Sequence, residues 1–206
     1  MISFRPTRGF VLLTSLLCSF VVLRLAHGQQ PYLEDQEVRV HGLPSLMAVS
    51  DDPRAVLQTS LDTILHDREI CCGKDSALEA SIMTADATSL KDVAAKLEGR
   101  HLLSDGRPIQ VKTEYVTGKD TGGGHLIQML HDQHAALMQW NSHLYVVYAA
   151  LYFWQADGQG GTYAQLHKLL LWDTRYSDAR RQVTYTVGSD DSSTIQGFLF
   201  VEMSRL

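Results

Sequence analysis

The hydrophobic pattern changes its period near Gly99, and this change restricts the possible folds more than any other feature of the chain. Before Gly99, apolar residues recur at helical spacing, which predicts helices over about residues 53–66, 77–83 and 90–97. After Gly99, apolar and polar residues alternate or apolar residues run without a break, as in strands. Helices followed by an antiparallel sheet make an α+β fold.

The second half of the chain is predicted to hold one more helix and most of the strands. The helix follows Gly122–Gly124, over about residues 125–133, and Gly158–Gly161 supplies a hairpin turn. A short edge strand is also expected near Val38–His41. The main strands are expected at Ile109–Tyr115, Ala136–Trp140, Leu144–Trp154, Tyr163–Trp172 and Gln196–Met203.

The first residues have the pattern of an export signal. Arg5 and Arg8 precede an apolar run over Phe10–Leu23, and small residues, Ala26 and Gly28, follow at cleavage spacing. We therefore expect an exported protein, either periplasmic or secreted. An uncleaved segment would instead tether the protein to a membrane.

The remaining chain divides into an irregular arm and one domain. Residues 1–28 are assigned to the signal peptide, 29–52 to the arm and 53–206 to the domain. The 18 basic and 23 acidic residues are interspersed, with a formal net charge of -5. This charge pattern excludes a nucleic-acid partner, and we expect no stable membrane association after signal cleavage.

Two adjacent cysteines call for a chemical explanation. Exported proteins that rely on disulfides usually carry separated cysteines that close long loops, whereas Cys71 and Cys72 are neighbours. Cys72 precedes Gly73 and a run of helix formers, and a helix N-terminus favours the thiolate. Three interpretations stay open: a nucleophile at Cys72, a vicinal Cys71–Cys72 disulfide, and a buried structural thiol.

A cysteine nucleophile needs a base and a group that orients the base, and the sequence offers one candidate for each. His143 stands where a loop enters an apolar strand, and Asp173 ends the next strand. If these strands form a hairpin, the two residues lie within reach of one another. The alternatives are a histidine with no catalytic role at a strand edge and an ordinary turn carboxylate followed by Arg175.

These motifs resemble the papain-like cysteine peptidases of the bacteriocin-leader-processing type. The resemblance rests on Cys72–Leu78, on His143–Tyr148 and on Leu170–Asp173, within about residues 55–185. It implies a papain-like fold, with N-terminal helices packed on a C-terminal antiparallel sheet. It also implies acyl transfer on a peptide or amide substrate without a cofactor.

The resemblance further implies a role for each residue of the site. Cys72 would be the nucleophile, His143 the general base and acid, and Asp173 the residue that orients the imidazole. In that family a glutamine before the cysteine usually donates to the oxyanion. No amide side chain precedes Cys72 in Ile64–Ile70, so His66 is the candidate oxyanion donor.

Two other functions remain open. A catalytically inactive protein of the same fold would bind a peptide or a partner and use its vicinal cysteines as a redox or structural element. The second open function is metal binding through those cysteines and nearby histidines. His131 and His134 are spaced to lie on one face of a helix, and His125 is close to them in the sequence. No recognised ligand set is complete, so no metal is expected.

Overall fold

The computed structural model describes residues 34–66, 89–117, 123–188 and 195–206. The chain separates into Met1–Glu34, of which only Glu34 is described, and a compact unit, Asp35–Leu206, that holds every element named below. The expected signal peptide, the second expected helix and both cysteines of the vicinal pair lie outside the described residues.

The described residues form three α-helices and eight strands. The helices are α1 (Pro53–Ile64), α2 (Leu90–Leu97) and α3 (Gly123–His131). The strands are β1 (Gln36–Arg39), β2 (Gly99–Leu102), β3 (Pro108–Thr117), β4 (Ala136–Trp140), β5 (His143–Ala156), β6 (Thr162–Trp172), β7 (Gln182–Thr186) and β8 (Ile195–Arg205). A single 3₁₀ turn, Ala179–Arg181, precedes β7.

All the strands belong to one antiparallel sheet in the order β2-β3-β8-β4-β5-β6-β7. Strand β5 is the longest and has two partners along one edge. Strand β4 pairs with its first part, up to Val147, and β1 pairs with Ala149–Tyr152. Strand β8, last in sequence, lies between β3 and β4. The expected α+β class is therefore confirmed.

The helices cover both faces of the sheet. Successive residues of a strand point to opposite faces, and Thr113 and Glu114 of β3 contact different helices. The Thr113 hydroxyl donates to the Ala94 carbonyl of α2 over 3.0 Å, whereas Glu114 pairs with His125 of α3. The helices also alternate with strands along the chain, so the expected order of helices first and sheet afterwards is only approximate.

Local sequence signals fix where α1 and α2 begin. The Asp52 carboxylate accepts from the Ala55 N–H at 3.3 Å, and Pro53 occupies the first turn of α1. The Ser89 hydroxyl accepts from the Asp92 N–H at 3.2 Å and caps α2. Both starts confirm the sequence prediction. No helix in the described ranges is long and apolar enough to cross a membrane.

Gly197 of β8 provides a test of packing at the centre of the sheet. A Cβ there would lie 2.6 Å from the Tyr115 ring, whose hydroxyl donates to the Gln196 carbonyl. We expect Gly197→Ala to lower the free energy of unfolding by about 1 to 3 kcal/mol, because overpacking displaces the ring. Urea denaturation measures this loss.

The matched control is Gly124→Ala in α3, where a new Cβ meets nothing within 4 Å. That change is expected to stabilise the protein by up to about 1 kcal/mol, because alanine favours helix. In a Tyr115→Ala background the cost of Gly197→Ala should largely disappear. A cost that persists without the ring would contradict the packing explanation.

Candidate active site

His143 is placed by a tight turn between β4 and β5. Asn141 and Ser142 form the two-residue loop, with φ of 50° and 61°, and Trp140 pairs with His143 across it. Positive φ at both loop positions matches the right-handed twist of a hairpin, and asparagine adopts that conformation readily. The turn therefore fixes where the histidine backbone enters the sheet, as the sequence predicted.

The His143 ring is held by the same turn. Its Nδ1 lies 2.8 Å from the Asn141 carbonyl oxygen. Because a carbonyl only accepts hydrogen bonds, Nδ1 must carry a proton. In the neutral ring Nε2 then keeps a lone pair, which is the form that a general base needs.

A cavity of about 170 Å³ lies beside His143, between α1, α2 and the β4–β5 turn. Apolar and polar side chains both line it, and the most buried of them are Leu90 and Val93. The lining residues are Pro53, Leu57, Ser89, Leu90, Val93, Gln139, Ser142, His143 and Leu144.

Asp173 follows β6 directly, next to the start of β5. Trp172 pairs with Val146, three residues after His143. Strands β5 and β6 form the expected antiparallel hairpin around the turn at Gly158–Gly161. The prediction that the start of one strand and the end of the other lie side by side is confirmed at the level of the backbone.

The Asp173 side chain is buried, and both its oxygens accept from Arg175. Arg175 donates to one oxygen through Nε at 2.8 Å and through its backbone N–H at 3.1 Å, and to the other through Nη2. This carboxylate raises the pKa of the Arg175 guanidinium. Burial, and then the Asp173 charge, raise the pKa of Tyr145. The hydrogen bonds of His143 and Asp173 thus run to different partners.

His66 lies at the other end of α1 from the His143 cavity. Pro53 and Leu57, in the first half of α1, line that cavity, whereas His66 follows the last turn. His66 lines a second cavity, of about 220 Å³, with His41, His134 and Asp132 among its other residues. A role for His66 toward an oxyanion depends on where Cys72 lies, and so stays a prediction.

Two histidines of the predicted cluster, His125 and His131, contact carboxylates, whereas His134 lies beyond the end of α3 and so does not share a helix face with His131. His125 Nε2 lies 2.9 Å from Glu114 Oε2, and its ring meets Phe200 edge-on. His131 Nδ1 lies 3.7 Å from Asp132, whose pKa is lowered mainly by a hydrogen bond from Gln128. Within the described residues, no three His, Cys, Asp or Glu side chains are grouped to hold a metal ion.

Two residues of the cavity edge were not predicted. Gln139 belongs to β4 and Ser142 to the turn, and both line the His143 cavity. A polar amide within the apolar strand Ala136–Trp140 was the available signal for Gln139. Ser142 carried no such signal, because its position depends on the turn geometry.

Comparison with known proteins gives a distant structural resemblance. No protein-family model matches the sequence, and no curated protein matches it. Among solved structures, the crystal structure of UfSP from C. elegans is similar, with a TM-score of 0.42 and 11% sequence identity. The similarity covers 87% of this chain and 36% of that one, so the chain spans well under half the length of its neighbour. A resemblance this distant assigns neither fold family nor activity.

Proposed function

We propose that this chain is an exported cysteine peptidase or amidase of papain-like fold. Cys72 is the nucleophile, His143 is the general base and acid, and Asp173 helps to orient the imidazole. The observation that carries the proposal is His143 itself: its Nδ1 bonds to the Asn141 carbonyl, and the residue lines a cavity between α1 and α2.

The segment that carries Cys72 joins those two helices. Ser89, the first described residue after the segment, lines the cavity, as does Leu57 of α1. At ~1.5 Å per residue, the end of α1 at Ile64 lies roughly 10 Å from Leu57, and the two residues from Ile64 to His66 add at most about 7 Å. The six residues from His66 to Cys72 can span up to about 20 Å when extended. The chain length therefore allows the thiol to reach His143.

The chemistry follows from the proton on Nδ1. Nε2 accepts the thiol proton, and the Cys72 thiolate adds to the substrate carbonyl carbon. The C–N bond then breaks, the imidazolium returns its proton to the leaving amine, and a thioester remains. Water, deprotonated by the same imidazole, hydrolyses the thioester and regenerates the thiol.

Asp173 has a supporting role in this proposal. An ionised carboxylate offers about four lone-pair sites, so binding to Arg175 does not exhaust its capacity to accept from an imidazole. The Asn141 carbonyl already provides an acceptor for Nδ1. We therefore expect removal of the His143 ring to affect thiol reactivity more than removal of the Asp173 charge.

A second function is favoured by the Asp173–Arg175 pair. Both carboxylate oxygens are engaged by one guanidinium, as in a turn that serves only stability. The second candidate is therefore a non-catalytic binding protein of the same fold, whose Cys71 and Cys72 form a disulfide. Intact mass after alkylation, with and without reductant, distinguishes a free pair from a bridged one.

Thiol reactivity tests the first function directly. In a Cys71→Ser background under reducing conditions, iodoacetamide should label Cys72 at pH 7 about tenfold faster than a free cysteine. An unactivated thiol is only a few per cent ionised at that pH, which leaves room for this gain. We expect His143→Ala to remove most of this acceleration of labelling. Peptide mapping by mass spectrometry gives the labelling rate at Cys72.

His131→Ala is the matched control, because His131 is an exposed histidine on α3 outside the cavity. It should leave the labelling rate unchanged. Labelling of Cys72 no faster than that of a free thiol, or a rate insensitive to His143→Ala, would refute the catalytic proposal and leave the binding function.

A further inference from the structure

We propose that the cavity beside His143 binds a branched aliphatic side chain of about leucine size, next to the amide bond that the enzyme cleaves. This inference names a substrate class and rests on the proposed function for its chemical meaning. The binding preference itself is a property of the described residues and is tested without any chemical step.

The size of the cavity sets the first limit. Its volume of about 170 Å³ is close to the ~150 Å³ of an engineered apolar cavity that binds benzene. Because the cavity is partly open to solvent, it encloses about four to six carbon atoms, and an indole ring would leave part of its surface exposed. A methyl group would leave most of the cavity unfilled and gain little from burial.

The lining sets the chemical class. Leu90 and Val93 of α2 are almost fully buried, at 3% and 1% exposure, and form the inner surface. Leu57 and Leu144 are half-buried and line it from α1 and β5. None of the described lining residues is Lys, Arg, Asp or Glu. A charged side chain entering this cavity would lose hydration without gaining a salt-bridge partner among these described residues.

The edge of the cavity offers polar groups suited to a peptide backbone. Ser89 is engaged in capping α2, where its hydroxyl also donates to the Asp92 carboxylate. The Gln139 amide and the Ser142 hydroxyl form no side-chain hydrogen bond with any other described residue. An amide both donates and accepts, which matches the N–H and C=O of a bound peptide. A peptide with an aliphatic side chain is thus the occupant that both surfaces fit.

A binding experiment on the full chain with Cys72→Ala tests this inference. The probes are N-acetyl-leucinamide, N-acetyl-alaninamide and N-acetyl-lysinamide, followed by methyl NMR. We expect the leucine amide to bind about tenfold more tightly than the alanine amide, because three further carbons are buried, and than the lysine amide, because burial of the ammonium loses hydration. The largest shifts should fall on the methyl groups of Leu57, Leu90, Val93 and Leu144.

Two changes at one half-buried position give opposite expectations. Leu57→Trp should fill the cavity, so that the leucine and alanine amides bind with about equal affinity. Leu57→Ala should enlarge it and favour N-acetyl-phenylalaninamide over the leucine amide. Leu102→Trp, at an exposed residue of β2, is the control and should keep the wild-type preference.

Equal affinities for the leucine and alanine amides, or methyl shifts away from the cavity, would overturn the inference. Because the binding assay uses a chain without Cys72, its result does not depend on catalysis. A leucine preference in a chain whose thiol is not activated would support the cavity assignment and reject the peptidase. Rapid labelling of Cys72 in the wild-type chain without a preference for the leucine amide would support the peptidase and reject the cavity assignment.

Discussion

Asp173→Asn is expected to lower the free energy of unfolding by about 2 to 3 kcal/mol. Removing one partner of a buried ion pair typically costs about 3 to 5 kcal/mol, because the other charge stays without compensation. The Asp173 side chain is only 4% exposed, but that of Arg175 is 20% exposed, so solvent screens part of the loss. Urea denaturation at pH 7 gives the change.

The chain contains a natural control for this prediction. Asp178 and Arg180 form an ion pair with the same two-residue spacing, but their side chains are 53% and 69% exposed. Asp178→Asn should leave the denaturation midpoint nearly unchanged, because exposed pairs contribute little. Equal effects at the two sites would show that burial of the Asp173 pair does not matter for stability.

The same variant separates two roles of Asp173. If the carboxylate only fixes the turn after β6, Asp173→Asn should lower stability and leave Cys72 labelling at its wild-type rate under native conditions. If it also orients His143, labelling should slow and its pH profile should change. Either result assigns one of these two roles to Asp173.

Leu199→Ala is expected to destabilise the protein by about 2 to 5 kcal/mol. Leu199 is fully buried in β8 and pairs with Tyr115 of β3 and Leu137 of β4. Truncating a buried leucine loses its transfer free energy and leaves a cavity between strands. Thermal and urea unfolding both measure the effect.

Leu102→Ala is the matched control, since it makes the same change in a strand where the residue is 64% exposed. Its effect should stay within about 0.5 kcal/mol. A small effect of Leu199→Ala would show that the centre of the sheet repacks without cost, contrary to the dense packing found in protein interiors.

The sequence predicted those elements whose signals are local. Helix α2 spans Leu90–Leu97 and β4 spans Ala136–Trp140, both as predicted, because capping groups and hydrophobic period act over a few residues. Strands β2 and β7 were missed. Each is only four or five residues long, so too few alternations are present to distinguish a strand from a loop.

The candidate site was predicted less completely than the fold. The predicted hairpin correctly placed the start of β5 beside the end of β6. The sequence could not determine which side chain donates hydrogen bonds to the Asp173 carboxylate. Arg175 is two residues away and closes a short loop at small entropic cost, whereas His143 must be reached across the hairpin. The hydrogen bond to the Asn141 carbonyl could not be predicted, since every residue carries the same backbone carbonyl and only the turn geometry selects this one.

The position of β8 has a consequence for how the protein is made. Strands β3 and β4 are joined in the sheet only through β8, which is synthesised after both. Until residues 195–205 leave the ribosome, the facing edges of β3 and β4 lack the partner that later hydrogen-bonds to them. A nascent chain therefore carries two open sheet edges from the completion of β4 until β8 emerges, and this is the stage at which we expect aggregation to compete with folding.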